Sequence, residues 1–154
     1  MRAYRSGHAK RGALAGAVAA AVWAAQQPLD KRVFHFGFDD VELLGKAVTR
    51  GSRWRVVGTA MHLANGAAFG ALYAKFQRRA RALPPWSRGP LAALGEHIAS
   101  WPATALTDRF HPARAELPRL RHSGRAFAQA TWRHLVFGTV LGELERHLNR
   151  SHRT

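Results

Sequence analysis

Apolar positions in this chain fall into four runs of matched length. Residues 12–29 contain 18 positions without Asp, Glu, Lys or Arg, and residues 56–74 contain 19. Residues 89–107, 19 long, are interrupted only by Glu96, and residues 126–142, 17 long, only by Arg133. A helix crossing the hydrocarbon core of a bilayer needs roughly 17–25 residues, so all four runs fit. A soluble bundle instead requires a polar stripe along each helix, and the first two runs have almost none. The pattern predicts an all-α, four-helix transmembrane bundle. It forms a single domain over residues 1–154, with spans near 12–28, 56–77, 90–107 and 125–148.

The connections refine this picture. The basic start "MRAYRSGHAKR" before an apolar run, with Val22-Trp23-Ala24 as a small-residue cleavage site, is also the layout of a signal peptide. Three later apolar runs favour its retention as a first span, which Pro28 then ends. In the first connection, Asp39 or Asp40 caps a short amphipathic helix through Val48, with Val41, Leu44 and Val48 on one side. Phe34, Phe36, Phe38 and Trp54 flank it and are expected in the head-group layer, making this an interfacial helix. Pro84-Pro85 breaks the second connection. The third, with prolines at 112 and 118, is irregular, and the tail continues the last helix.

Composition adds a charge and removes some chemistry. There are 24 Lys and Arg against 9 acids, a formal charge of +15, and no cysteine. Disulfides, thiolate metal sites and cysteine nucleophiles are thereby excluded. The charge calls for an anionic partner, here the head groups of an acidic bilayer. The mean hydropathy of −0.25 is low for a membrane protein because the connections and tails are arginine-rich. Orientation is not decided, since the two sides carry 12 and 11 basic residues.

Small residues recur at four-residue spacing, which keeps them on one helix face and lets backbones approach. Gly12 and Gly16 form one seam. Gly58, His62, Gly66 and Gly70 form a second, and Ala130, His134, Gly138 and Gly142 a third. They predict packing within the monomer; the alternative is a homo-oligomer.

The polar residues inside the runs carry whatever chemistry there is. A charge within a span faces a partner or a cavity, because lipid penalises it. Glu96 is about 17 Å and Arg133 about 10 Å from the adjacent ends of their helices, at about 1.5 Å per residue. An arginine side chain bridges much of that offset, so a buried Glu96–Arg133 pair is expected, with His97, His134, His62 and Asn65 around it. Such a cluster holds helices together, responds to protons or ions, or binds a metal. No HExxH-like spacing preorganises a metal, so neither metal nor cofactor is expected. Asp108 and His111, three residues apart at a helix end, are weak metal candidates.

No GxSxG elbow, P-loop, Rossmann glycine pattern or nucleic-acid motif is present. The reading therefore favours a non-enzymatic structural or accessory membrane protein with a proton- or ion-responsive polar cluster. Its alternatives are a soluble basic helical bundle binding nucleic acid or another anionic partner, and a membrane-embedded metal-dependent enzyme. Four features together carry a resemblance over most of residues 12–150: "GALAGAVAAAVWAAQQPLDKR", the Gly66–Gly70 helix, "GPLAALGEHIASWPATALTDRFHP" and "WRHLVFGTVLGELERHLNR". In this order they resemble small actinobacterial-type four-helix membrane proteins and, more distantly, the YagU-like inner-membrane family. The resemblance implies a multi-pass inner-membrane protein and, through the more distant family, a link to acid tolerance.

Overall fold

A computed structural model describes residues 2–80 and 82–150, the side chains of residues 2–6, 78 and 150 excepted. The described residues are all-α, without a strand. The helices are α1 (Arg2–Phe34), α2 (Asp40–Val48), α3 (Trp54–Phe76), α4 (Pro85–Ser100), α5 (Thr104–Phe110) and α6 (Gly124–Arg150). Short 3-10 turns occupy Gln77–Ala80 and Trp101–Ala103.

Helix α1 packs against α3 and α6, α4 packs on α6, and α2 lies against α3. Residue pairs fix the directions. Gly16 meets Gly66 across the α1–α3 seam. Arg11 bonds Asn149, while Asp30 bonds Arg133, so α1 and α6 also run antiparallel. The long rods are thus ordered α3–α1–α6–α4, and a cleft opens between the two outer ones.

Missing side chains hold the seams together. A methyl group on Gly16 would overlap the Gly66 carbonyl, and one on Gly89 would overlap the Gly138 carbonyl. Gly12 faces Gly70, Gly58 meets Val41 and Gly45 of α2, and Gly142 lies over Gly89. The glycine spacing is therefore used inside the monomer. Gly45 and Gly89, which supply the opposite sides of two contacts, lie outside the spaced seams visible in the sequence.

Several boundaries differ from expectation. Pro28 does not end α1, which continues to Phe34. Proline removes one hydrogen bond, but Asp30, two residues further, is tied to α6 and holds the final turns. The end comes at His35, whose φ of 48° is left-handed, while Phe36 N–H reaches back to the Lys31 carbonyl. This is a Schellman closure. The expected third span is broken at Trp101–Ala103, where Pro102 has no N–H to continue the helix. The last helix reaches Arg150, and residues 151–154 of the tail lie outside the described ones.

Helix α2 forms with Asp39 as its N-cap, Oδ1 accepting from the Glu42 N–H at 3.0 Å. Its aromatic neighbours do not all sit at an outer layer. Phe38 is buried, and Phe36 packs with Leu43, Trp101, Leu120 and Ala126 in a small core beneath α2. Trp54 is half-buried, with the Lys46 and Arg55 cations over its ring. Asp108 and His111 tie down the irregular connection. The Asp108 carboxylate accepts from Leu120 and Arg121 N–H groups, and His111 Nε2 donates to the Leu43 carbonyl at 3.0 Å. That work accounts for both residues without a metal.

Candidate functional site

Two polar arrangements lie side by side at the centre of the bundle. The first belongs to Arg133. Its Nε and Nη2 donate to the two oxygens of Asp30, each at 2.6 Å, and Nη1 donates to Asp40 Oδ2 at 2.7 Å. Nη2 also reaches the Phe38 carbonyl at 2.9 Å. Trp23 Nε1 donates to the same Asp40 oxygen at 2.9 Å, and Gln129 Nε2 donates to Asp30 at 2.7 Å. Arg133, Asp30 and Gln129 are all shielded from solvent. A buried charge requires this degree of pairing, because an unpaired one is strongly destabilising.

Asp39, beside this knot, is bonded by Lys31 Nζ at 2.5 Å. Burial alone would raise its carboxyl. The Lys31 hydrogen bond and the Glu42 N–H outweigh it, and the group is held below the ordinary carboxylate value.

The second arrangement is the cleft between α3 and α4, a cavity of about 340 Å³. His62 and Asn65 of α3, Glu96 and His97 of α4, and His134 of α6 all line it, with Trp23 of α1 in its floor. Five of the six residues expected to form one polar cluster therefore share a wall. Arg133, the sixth, does not line it. The expected Glu96–Arg133 pair is absent because Arg133 is saturated by Asp30 and Asp40, and Glu96 bonds His134 instead. Nor is the whole cluster buried. His62 and His97 are buried, but Asn65 is exposed and the Glu96 side chain is 43% exposed at the mouth.

Hydrogen-bond partners fix where the imidazole protons lie. His62 Nε2 faces the Ala20 carbonyl at 3.1 Å, which only accepts, so Nε2 carries the hydrogen. His97 Nε2 meets Thr131 Oγ1 at 3.0 Å. That hydroxyl gives its own hydrogen to the Phe127 carbonyl, so His97 donates to it. His134 is different, because both its nitrogens face acceptors. Nδ1 lies 2.7 Å from the Ala130 carbonyl and Nε2 lies 3.0 Å from Glu96 Oε2. A neutral ring donates to only one of these acceptors; satisfying both takes a second proton, shared between Nε2 and Oε2 as imidazolium with carboxylate or as imidazole with carboxylic acid.

Aromatic contacts hold these rings in place. His97 stacks on His134 with centroids 4.6 Å apart, and the edge contact of Trp23 with His134 is 4.7 Å. Trp23 also meets His62 at 5.4 Å. Among the described residues, no three His, Asp or Glu side chains are placed to hold a metal ion.

Trp23, Asp40 and Trp101 also belong to the cleft, outside the expected polar cluster. A single Trp in the alanine-rich first run was the available signal for Trp23. Nothing local marks the other two. No protein-family model, curated protein or solved structure matches this chain.

Proposed function

We propose that this chain is an integral membrane protein, a four-rod transmembrane bundle with a structural or accessory role and a proton-responsive polar cleft. The carrying observation is the inverted distribution of side chains. Alanines 15, 19, 20, 74, 93 and 130 are buried, whereas Leu14, Leu29, Val56, Trp86, Ile98 and Phe110 are exposed. Along residues 12–29 of α1, about 27 Å at 1.5 Å per residue, every exposed position is apolar. Exposed positions in residues 56–74 and 126–142 are uncharged, and those in 89–107 include one charge, Glu96, at the cleft. Water-facing helices carry charges on the outer face. Lipid-facing ones put small and polar residues inside.

No described helix is long and apolar enough to cross a membrane when its residues are averaged. That average counts all faces. Gln27 and His62 lower it although both are buried, and lipid meets only the outer side chains. On this reading the arginine-rich connections meet anionic head groups. The shared Glu96–His134 proton makes the cleft sensitive to pH, because an intramembrane acid beside histidine is suited to bind and release protons. Alkaline carbonate treatment of membranes tests the residence. The chain should stay in the pellet, and release as a folded, detergent-free monomer would instead favour a soluble basic bundle.

A further inference from the structure

The cleft has an unusual charge for this chain. The sequence holds 24 Lys and Arg, yet none of the described residues lining the cavity is either. Its walls instead carry five large aromatic rings: Trp23, Phe38, Phe69, Trp101 and Phe137. Two carboxylates complete it. Asp40 shares the Arg133 cation with Asp30 and its Oδ2 is taken up by Arg133 and Trp23, while Glu96, 43% exposed at the mouth, is the acid able to face an occupant. The volume of about 340 Å³ lies in the roughly 300–1,000 Å³ range of small-molecule sites.

Aromatic faces attract cations, and most strongly where water is excluded. A neutral apolar ligand would not need the carboxylate. An anion would meet Glu96 without a compensating arginine. We propose that the cleft binds a monovalent organic cation with an apolar body, such as a quaternary ammonium, with Glu96 as its counter-ion. Binding releases the proton shared by Glu96 and His134.

The charges balance. Before binding, the Glu96–His134 pair with its shared proton is neutral. Afterwards Glu96 is ionised, His134 is a neutral imidazole hydrogen-bonded through Nδ1, the ligand carries one positive charge, and the proton is in solvent. The groups facing the pair do not substitute for it. His97 on α4 stacks on His134 and donates to Thr131, while His62 on α3 donates to Ala20. Asp40 on α2 and Asp30 on α1 both hold Arg133 on α6. The inference rests on reading the cleft as a proton-responsive site, and it does not depend on lipid around the bundle.

Calorimetric titration of the full chain in a non-ionic detergent tests it, using benzyltrimethylammonium at pH 7 in two buffers of different ionisation heat. The cation should bind with release of about one proton, read from the buffer dependence by linkage. Benzenesulfonate should not bind in the cleft, although the net charge of +15 favours the anion everywhere else. Glu96→Gln should weaken cation binding about tenfold or more and abolish proton release. His134→Asn should still bind the cation, without proton release. No cation binding, equal binding of benzyl alcohol, or undiminished binding by Glu96→Gln would each overturn the proposal. Should Glu96→Gln unfold, the wild-type preference for cation over sulfonate decides alone. None of these outcomes bears on carbonate extraction, so failure here and failure of the membrane reading are distinguishable.

Discussion

Arg133 of α6 grips Asp30 of α1 through two parallel hydrogen bonds of 2.6 Å, and neither side chain is exposed to solvent. Removing one partner of a buried pair typically costs about 3–5 kcal/mol, and less where bilayer deformation admits water. Arg133→Gln and Asp30→Asn should each lower stability on that scale. The double substitution should recover part of the loss. Glu96→Gln combined with Arg133→Gln should be nearly additive, because these two side chains do not meet. Thermal unfolding of the six chains, wild type included, measures both couplings; strong coupling of Glu96 to Arg133 would contradict the assignment.

Two glycines in neighbouring positions on the scaffold should respond in opposite directions. A Cβ on Gly89 would overlap the Gly138 carbonyl, whereas nothing lies within 4 Å of one on Gly95. Gly89→Ala forces α4 and α6 apart, at a cost typical of overpacking, about 1–3 kcal/mol. Gly95→Ala adds helix propensity and should stabilise by about 0.5–1 kcal/mol. Chemical denaturation of both variants checks the signs.

How much of this was legible without coordinates depends on how local each signal is. The seams were, because a glycine every four residues marks a face wherever the partner lies. The polar residues that line the cleft were legible for the same reason, though as a buried cluster rather than an open cavity: His62 and His134 share those faces, and Glu96 and His97 interrupt an apolar run. The partner of Arg133 was not. Asp30 follows Pro28, and a proline read as a helix end moved Asp30 into a connection. Asp40 was read as a capping alternative to Asp39, which left no role for it in an ion pair. The antiparallel pairing of α1 and α6 brings residue 30 level with residue 133, a relation that a depth argument restricted to α4 and α6 could not contain.

Acidification should release one defined contact outside the proposed spans. Asp39 has its folded value lowered from 3.8, so its contribution is present above about that pH and is lost as pH falls through the depressed folded value. Asp39→Asn should therefore be less stable than wild type near neutrality, and the difference should shrink in acid. Parallel denaturation curves from pH 6 to the lowest pH at which both chains fold would show the convergence. A constant gap would mean that the loss is one of packing or capping alone.

His35 closes α1 with a left-handed φ of 48°, which a side chain makes costly and glycine does not. Its replacement should stabilise by about 1 kcal/mol, raising the melting temperature of His35→Gly. Gly37, two residues on and with open space around it, serves as the control position for changes in the same connection.

The central claim is that lipid covers the outer face of the bundle. The absence of cysteine allows single cysteines to be placed and spin-labelled one at a time. Labels at Leu14, Val18, Val22 and Leu29 on the exposed face of α1, in liposome-reconstituted protein, should be relaxed strongly by oxygen and weakly by a water-soluble nickel chelate. A label at Gly51, in the connection before α3, should show the reverse. Chelate accessibility at Val18 and Val22 equal to that at Gly51 would contradict the account, because water would then cover the outer face.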